Sequence, residues 1–178
     1  MRVHVLSAGA LAVLAGCSGE STPTEAPPKT SSTAPAVTSS HISAAELPPD
    51  VASVVNSAVP GITIKEAERK EREGRVYYDV EGTRPDGSEV ELDLLQENGQ
   101  YRVVEIQRDI AWADAPESAR AAAATSSRPF EPARVIESTQ TDGSVIYELF
   151  SPDAPAKPAL EVRVVDGSAE VLKEEWPH

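Results

Sequence analysis

Residues 75–107 read RVYYDVEGTRPDGSEVELDLLQENGQYRVVEIQ, and the alternation inside this stretch decides the fold. Val76, Tyr78 and Val80 alternate with Tyr77 and Asp79, and Val90, Leu92 and Leu94 alternate with Glu89, Glu91 and Asp93. A period of two puts one set on a buried face and the other toward water, which is the pattern of half-buried β-strands. Asp86-Gly87 and Asn98-Gly99 separate the runs and supply the positive φ of tight hairpin turns. In the third run Arg102, Val104 and Ile106 form one face and Tyr101, Val103 and Glu105 the other. Val104 and Ile106 are assigned to the core, although Tyr101 and Val103 fit there as well.

Upstream, Pro48-Pro49 followed by DVASVVNSA predicts a helix, with Val51, Val54, Val55 and Ala58 in one apolar stripe that Pro60-Gly61 ends. ITIKEAERKEREG contains good helix formers but opens with alternating isoleucines, and it is read as a charged edge strand. Downstream, a weaker copy of the same order appears. A capping-box spacing at Asp114–Glu117 leads into SARAAAAT, and ARVIESTQTDGSVIYEL then aligns with IKEAERKEREGRVYYDV. LEVRVVDG and SAEVLKEEW follow as further strands, with SPDAPAKPA as a longer, more rigid loop. The expectation is an α+β chain of two tandem modules, residues 43–109 and 110–178. Each would be a helix packed on an antiparallel sheet of about four strands.

The N-terminus carries a different message. MRVHVLSAGALAVLAG has a basic start and a short apolar run ending in small residues, as in a secretory signal. Leu14-Ala15-Gly16-Cys17 resembles the lipobox of bacterial lipoproteins, in which the Cys receives a diacylglycerol after cleavage before it. The resemblance implies a signal peptide over residues 1–16, lipidation of Cys17 and attachment to a bilayer through its acyl chains. Residues 17–42 read as a disordered tether: 15 of the 23 residues from Ser18 to Ser40 are Ser, Thr or Pro. Such a tether reaches roughly 25–30 Å when flexible and up to about 70 Å when extended by its prolines. The expected location is the cell envelope. With two membranes it is the periplasmic face of the outer membrane, since Ser18 rather than Asp follows the Cys; otherwise it is the outer face of the plasma membrane.

Helix, Pro-Gly, edge strand, G-x-V-Y-Y-D-V, D-G-S-E-V-E-L-D and N-G together resemble the PepSY domain and its β-lactamase-inhibitor-protein-like relatives. Pro60, Gly61, Gly74, Tyr78, Val80, Asp86, Gly87, Glu91, Leu92 and Gly99 carry the likeness. The second copy is degenerate. The resemblance implies non-catalytic modules that bind, and in some cases inhibit, peptidases or other secreted proteins.

The composition agrees with a non-enzyme. The net charge of −13 disfavours nucleic acid and anionic head groups as partners. A single Cys excludes an internal disulfide. Downstream of the signal, His41 and His178 are the histidines, and neither position suits a catalytic triad or a zinc site. No cofactor motif and no metal-ligand set is read; Glu89, Glu91 and Asp93 are taken as a solvated face and the Asp-Gly pairs as turns. What remains is the open sheet face. Tyr77, Asp79, Glu91, Asp93, Tyr101 and Val103 form the expected partner-binding patch for an unidentified secreted or envelope protein such as a peptidase. The alternative is a structural or sensory envelope lipoprotein that binds cations or cell-wall fragments through its acidic face.

Overall fold

The computed structural model describes residues 38–174 and Trp176. The expected signal peptide, Cys17, residues 18–37 of the expected tether and His178 lie outside the described residues. The order of elements is β1 (Thr38–Ser43), α1 (Pro49–Ala58), β2 (Thr63–Arg72), β3 (Arg75–Thr83), β4 (Glu89–Glu97) and β5 (Gln100–Ile110). A single 3-10 turn (Trp112–Asp114) leads to α2 (Glu117–Ala124), β6 (Arg134–Gln140), β7 (Val145–Phe150), β8 (Leu160–Val165) and β9 (Ser168–Val171). All nine strands lie in one antiparallel sheet, in sequence order.

This corrects the expectation of two helix-on-sheet modules. The chain is mainly one continuous β-meander, and two helices are the only α-helices among the described residues. The repeat was visible because each half has its own hairpins and its own helix. What local patterns do not reveal is whether outer strands of the two halves join. Here they do: β5 pairs with β6 from Glu105↔Gln140 to Ile110↔Val135. Cross-strand ion pairs fasten the seam, with Arg108 reaching Glu137 at 2.7 Å and Arg134 gripping both carboxylate oxygens of Asp109 at 2.7 and 2.9 Å. Joining removes two sheet edges that would otherwise present unpaired backbone groups.

A second correction concerns the other edge. Residues 38–42, expected in the tether, form β1 together with Ser43 and pair with β2 from Thr38↔Glu71 to Ser43↔Glu66. β2 is a strand as expected, but β1 covers its edge. Almost every β1 side chain is exposed, so backbone pairing holds it, helped by Ile42 against the neighbouring core. Just beyond, Ser43 and Glu46 make half of a capping box: Glu46 Oε2 accepts from the Ser43 backbone N–H at 3.3 Å and also from Ser43 Oγ at 2.6 Å. The prolines stop that turn from becoming a helix, and α1 begins at Pro49.

Both helices lie on the same kind of apolar ground. Val51 and Val55 of α1 are fully buried against Tyr78, Val80, Leu92 and Leu94. Each such side chain contributes about 1.5–3 kcal/mol on burial. In the second half Ala119 and Ala123 of α2 meet Val135, Tyr147, Leu149 and Val162. Among the described residues no helix is long and apolar enough to cross a membrane.

Candidate functional site: an acidic sheet face

The sheet face away from α1 carries carboxylates in rows that run across the strands. The register places His41, Glu68, Asp79, Asp93, Glu105 and Gln140 side by side on β1 to β6. The next row contains Glu66, Glu81, Glu91, Gln107 and Ser138. Like charges directly opposite each other destabilise a sheet, by about 0.2–1 kcal/mol per pair. Tight turns fix this register: Glu73-Gly74 and Asn98-Gly99 both have positive φ at both positions, the backbone a two-residue hairpin needs.

Of the six expected patch residues, the structure brings four together. Tyr77, Asp79, Glu91 and Asp93 line one cavity of about 570 Å³, with Leu95 and Val104 as its apolar wall. Tyr101 and Val103 are on the opposite face. Both pack against the core under α1, and the Tyr101 ring meets Tyr78 edge to face, 5.6 Å between centroids at 85°. The cause is a β-bulge. Asp93 pairs with Glu105 and the next residue, Leu94, pairs with Val103, leaving Val104 as the extra residue. Val103 and Ile106 therefore share the core face, although simple alternation separates them, and Val104 leaves the core for the cavity wall.

Burial grades the acidic face. Glu89 is exposed and pairs with Lys65 at 2.8 Å, as a solvated position should. Asp93 is only 9% exposed and Glu105 3%, so the strand expected to show a solvated acidic face buries its centre. Burial, together with the charges of Asp79 and its neighbours, pushes the Glu91 carboxyl up to about 7 and that of Asp93 up to about 8. Burial also raises Asp79, against the pull of Lys70. Lys70 is the resident counter-charge. Its ammonium is ion-paired with Asp79 and lies 3.5 Å from Glu68. Burial pulls the Lys70 ammonium down, but hydrogen bonding to Asp79 and the surrounding carboxylates leave it above its ordinary value.

Asp79, Glu91 and Asp93 each turn one carboxylate oxygen toward a common point, all within 4.8 Å of one another. Glu105 is held from the other side, accepting hydrogen bonds from the Ser138 hydroxyl and from Gln140 Nε2 at 2.8 Å. Sequence reasoning missed Lys70, Glu68, Glu81, Glu105 and Gln140. The hairpin turns gave a signal for the β2 and β3 residues, because counting pairs back from Gly74 sets Glu68 opposite Asp79. No such count finds Glu105, since the Asn98-Gly99 turn alone would set Val104 opposite Asp93.

The aromatic residues of the second half are used internally. Trp112 packs on the second core, and Trp176 lies against Arg163, 5.9 Å from the guanidinium carbon to the ring centre, with its backbone N–H donating to Glu161 at 2.6 Å. His41 is exposed on β1, 3.5 Å from Glu66. Comparison with protein-family models, with curated proteins and with solved structures returned no match to the chain.

Proposed function

We propose that this protein is a non-catalytic binding protein, exported and lipid-anchored through Cys17. Its ligand is a secreted or envelope protein that presents a basic side chain to the acidic sheet face. A single observation carries the reading: four carboxylates from the two rows, those of Asp79, Asp93, Glu105 and Glu91, line with Tyr77 and Leu95 a cavity of about 570 Å³. The outer carboxylates suit an incoming cation, since Glu66 and Glu68 remain 50% and 40% exposed. Tyr77 supplies a ring with room beside it for an apolar stem, and already stacks on Arg72 at 5.2 Å. A net charge of −13 adds long-range attraction for a basic partner. Bound over the active site of a peptidase, this face would make the protein an inhibitor; bound elsewhere, an adaptor.

Capture tests the reading. The full chain is immobilised beside a Tyr77→Ala/Glu81→Gln variant, and envelope extract is passed over both at low salt. The expected result is a protein retained by wild type, lost from the variant and released by salt, which then binds in purified form. Equal retention on both chains, or none at low salt, counts against it.

A further inference from the structure

We propose that Asp79, Glu91 and Asp93 form a binding site for a hard divalent cation of Ca²⁺ size on the open face of β3 and β4. The inference does not rest on the protein-partner reading, and stands or falls without any partner.

The first observation is geometric. Oxygens from the three carboxylates converge within 4.8 Å of one another. Three carboxylate oxygens this close can bind one ion, and Ca²⁺ accepts such irregular side-chain oxygen cages, whereas Mg²⁺ demands near-ideal octahedral geometry and keeps several of its waters. The donor set is oxygen only, which selects hard cations over zinc or copper. The second observation is independent of the convergence. Asp93 is nine-tenths buried, and its Oδ1 is shielded from water and has no hydrogen-bond partner. A buried, unpartnered carboxylate oxygen is costly, and an oxygen of the same Asp93 carboxylate belongs to the cluster. A cation bound to this carboxylate would offset the cost of its burial.

Lys70 does not fill this role. Its one ammonium is engaged by Asp79 and lies near Glu68, against Asp79, Glu91, Asp93 and Glu105 on the adjoining strands. Because Lys70 already reaches Glu68, it can pass to that partner when a cation takes Asp79. Lys70 is thus a competitor for the site, and its removal favours the ion.

The test uses the full chain stripped with EDTA, titrated with CaCl₂ and separately with MgCl₂ at constant ionic strength. Calorimetric heat and melting temperature are followed together. The expected result is one saturable Ca²⁺ site with a midpoint of about 10⁻⁴–10⁻³ M, the range of exposed extracellular modules, and a rise in melting temperature on saturation. Mg²⁺ is expected to bind more weakly. Asp93→Asn, which removes a buried carboxyl and should fold at least as well, is expected to weaken Ca²⁺ by about tenfold or more. Lys70→Gln is expected to tighten it. The proposal is overturned if wild type gives no saturable response, if Asp93→Asn binds as wild type does, or if Mg²⁺ binds as tightly as Ca²⁺.

Discussion

Asp93 concentrates the physics of this protein in one side chain. It sits opposite Asp79 on one side and Glu105 on the other, nine-tenths buried. Groups facing it are Asp79 from β3, Glu91 from its own strand, Glu105 from β5 and Lys70 from β2. The folded pKa values of Glu91 and Asp93, about 7 and about 8, exceed their ordinary values of 4.5 and 3.8. Between those limits the folded chain holds more protons than the unfolded chain, so stability is lost as pH rises. Carboxyls with lowered values, such as Glu46 and Asp86, held by hydrogen bonds from Ser43 and Ser88, act in the opposite sense at the acid end. Thermal melts in EDTA should therefore peak near pH 5 and decline toward pH 8. Asp93→Asn should flatten the decline and raise stability at pH 8 by about 1–3 kcal/mol. A melting temperature that climbs from pH 5 to pH 8 would mean these carboxylates are not buried together.

The two tyrosines make the same point about faces. Tyr101→Ala removes an edge-to-face partner of Tyr78 and should cost about 1–3 kcal/mol. Tyr77→Ala leaves the core intact and should cost less than about 1 kcal/mol. Urea unfolding of the two variants checks this, and equal losses would contradict the assignment of faces.

At the level of elements, most strands were legible because their alternation and turns agree. Val76, Tyr78, Val80, Leu92 and Leu94 are buried or partly buried as their period demanded. Of the α1 stripe, Val51 and Val55 are fully buried and Val54 partly buried, but Ala58 is exposed and Val59, the residue after the helix, is buried instead. Two features escaped. The bulge at Val104 inserts one residue without any glycine to mark it, and it moved Tyr101 and Val103 out of the expected patch. β1 has the composition of a linker, TSSHIS, and becomes a strand because β2 offers it a row of backbone donors and acceptors. Such a strand adds little apolar burial. Removing residues 1–43 is expected to lower stability by only about 1–2 kcal/mol, mainly through Ile42 and the lost ladder. It should, however, expose β2 as a new edge and promote concentration-dependent association, measurable by light scattering. A truncated chain that stays monomeric would show that the charges of β2 protect the edge unaided.

At the scale of the molecule, the repeat in the sequence described how each half folds locally and said nothing about the seam. The acidic face depends on that seam, since Gln140 and Ser138 of β6 hold Glu105 of β5 in place. A continuous sheet also predicts mechanical unity: β5 gives Ile106 to the first core and Ile110 to the second, so the two cores share that strand and should unfold together. Both tryptophans, Trp112 and Trp176, belong to the second half, whereas Leu92 is fully buried in the first. The most direct measurement is therefore urea unfolding of Leu92→Ala followed by tryptophan fluorescence and far-ultraviolet circular dichroism. A single sheet requires both signals to move together, by about 2–5 kcal/mol. A tryptophan transition left at its wild-type midpoint, while the dichroism shifts or splits, would contradict the continuous sheet and return the chain to two independent units.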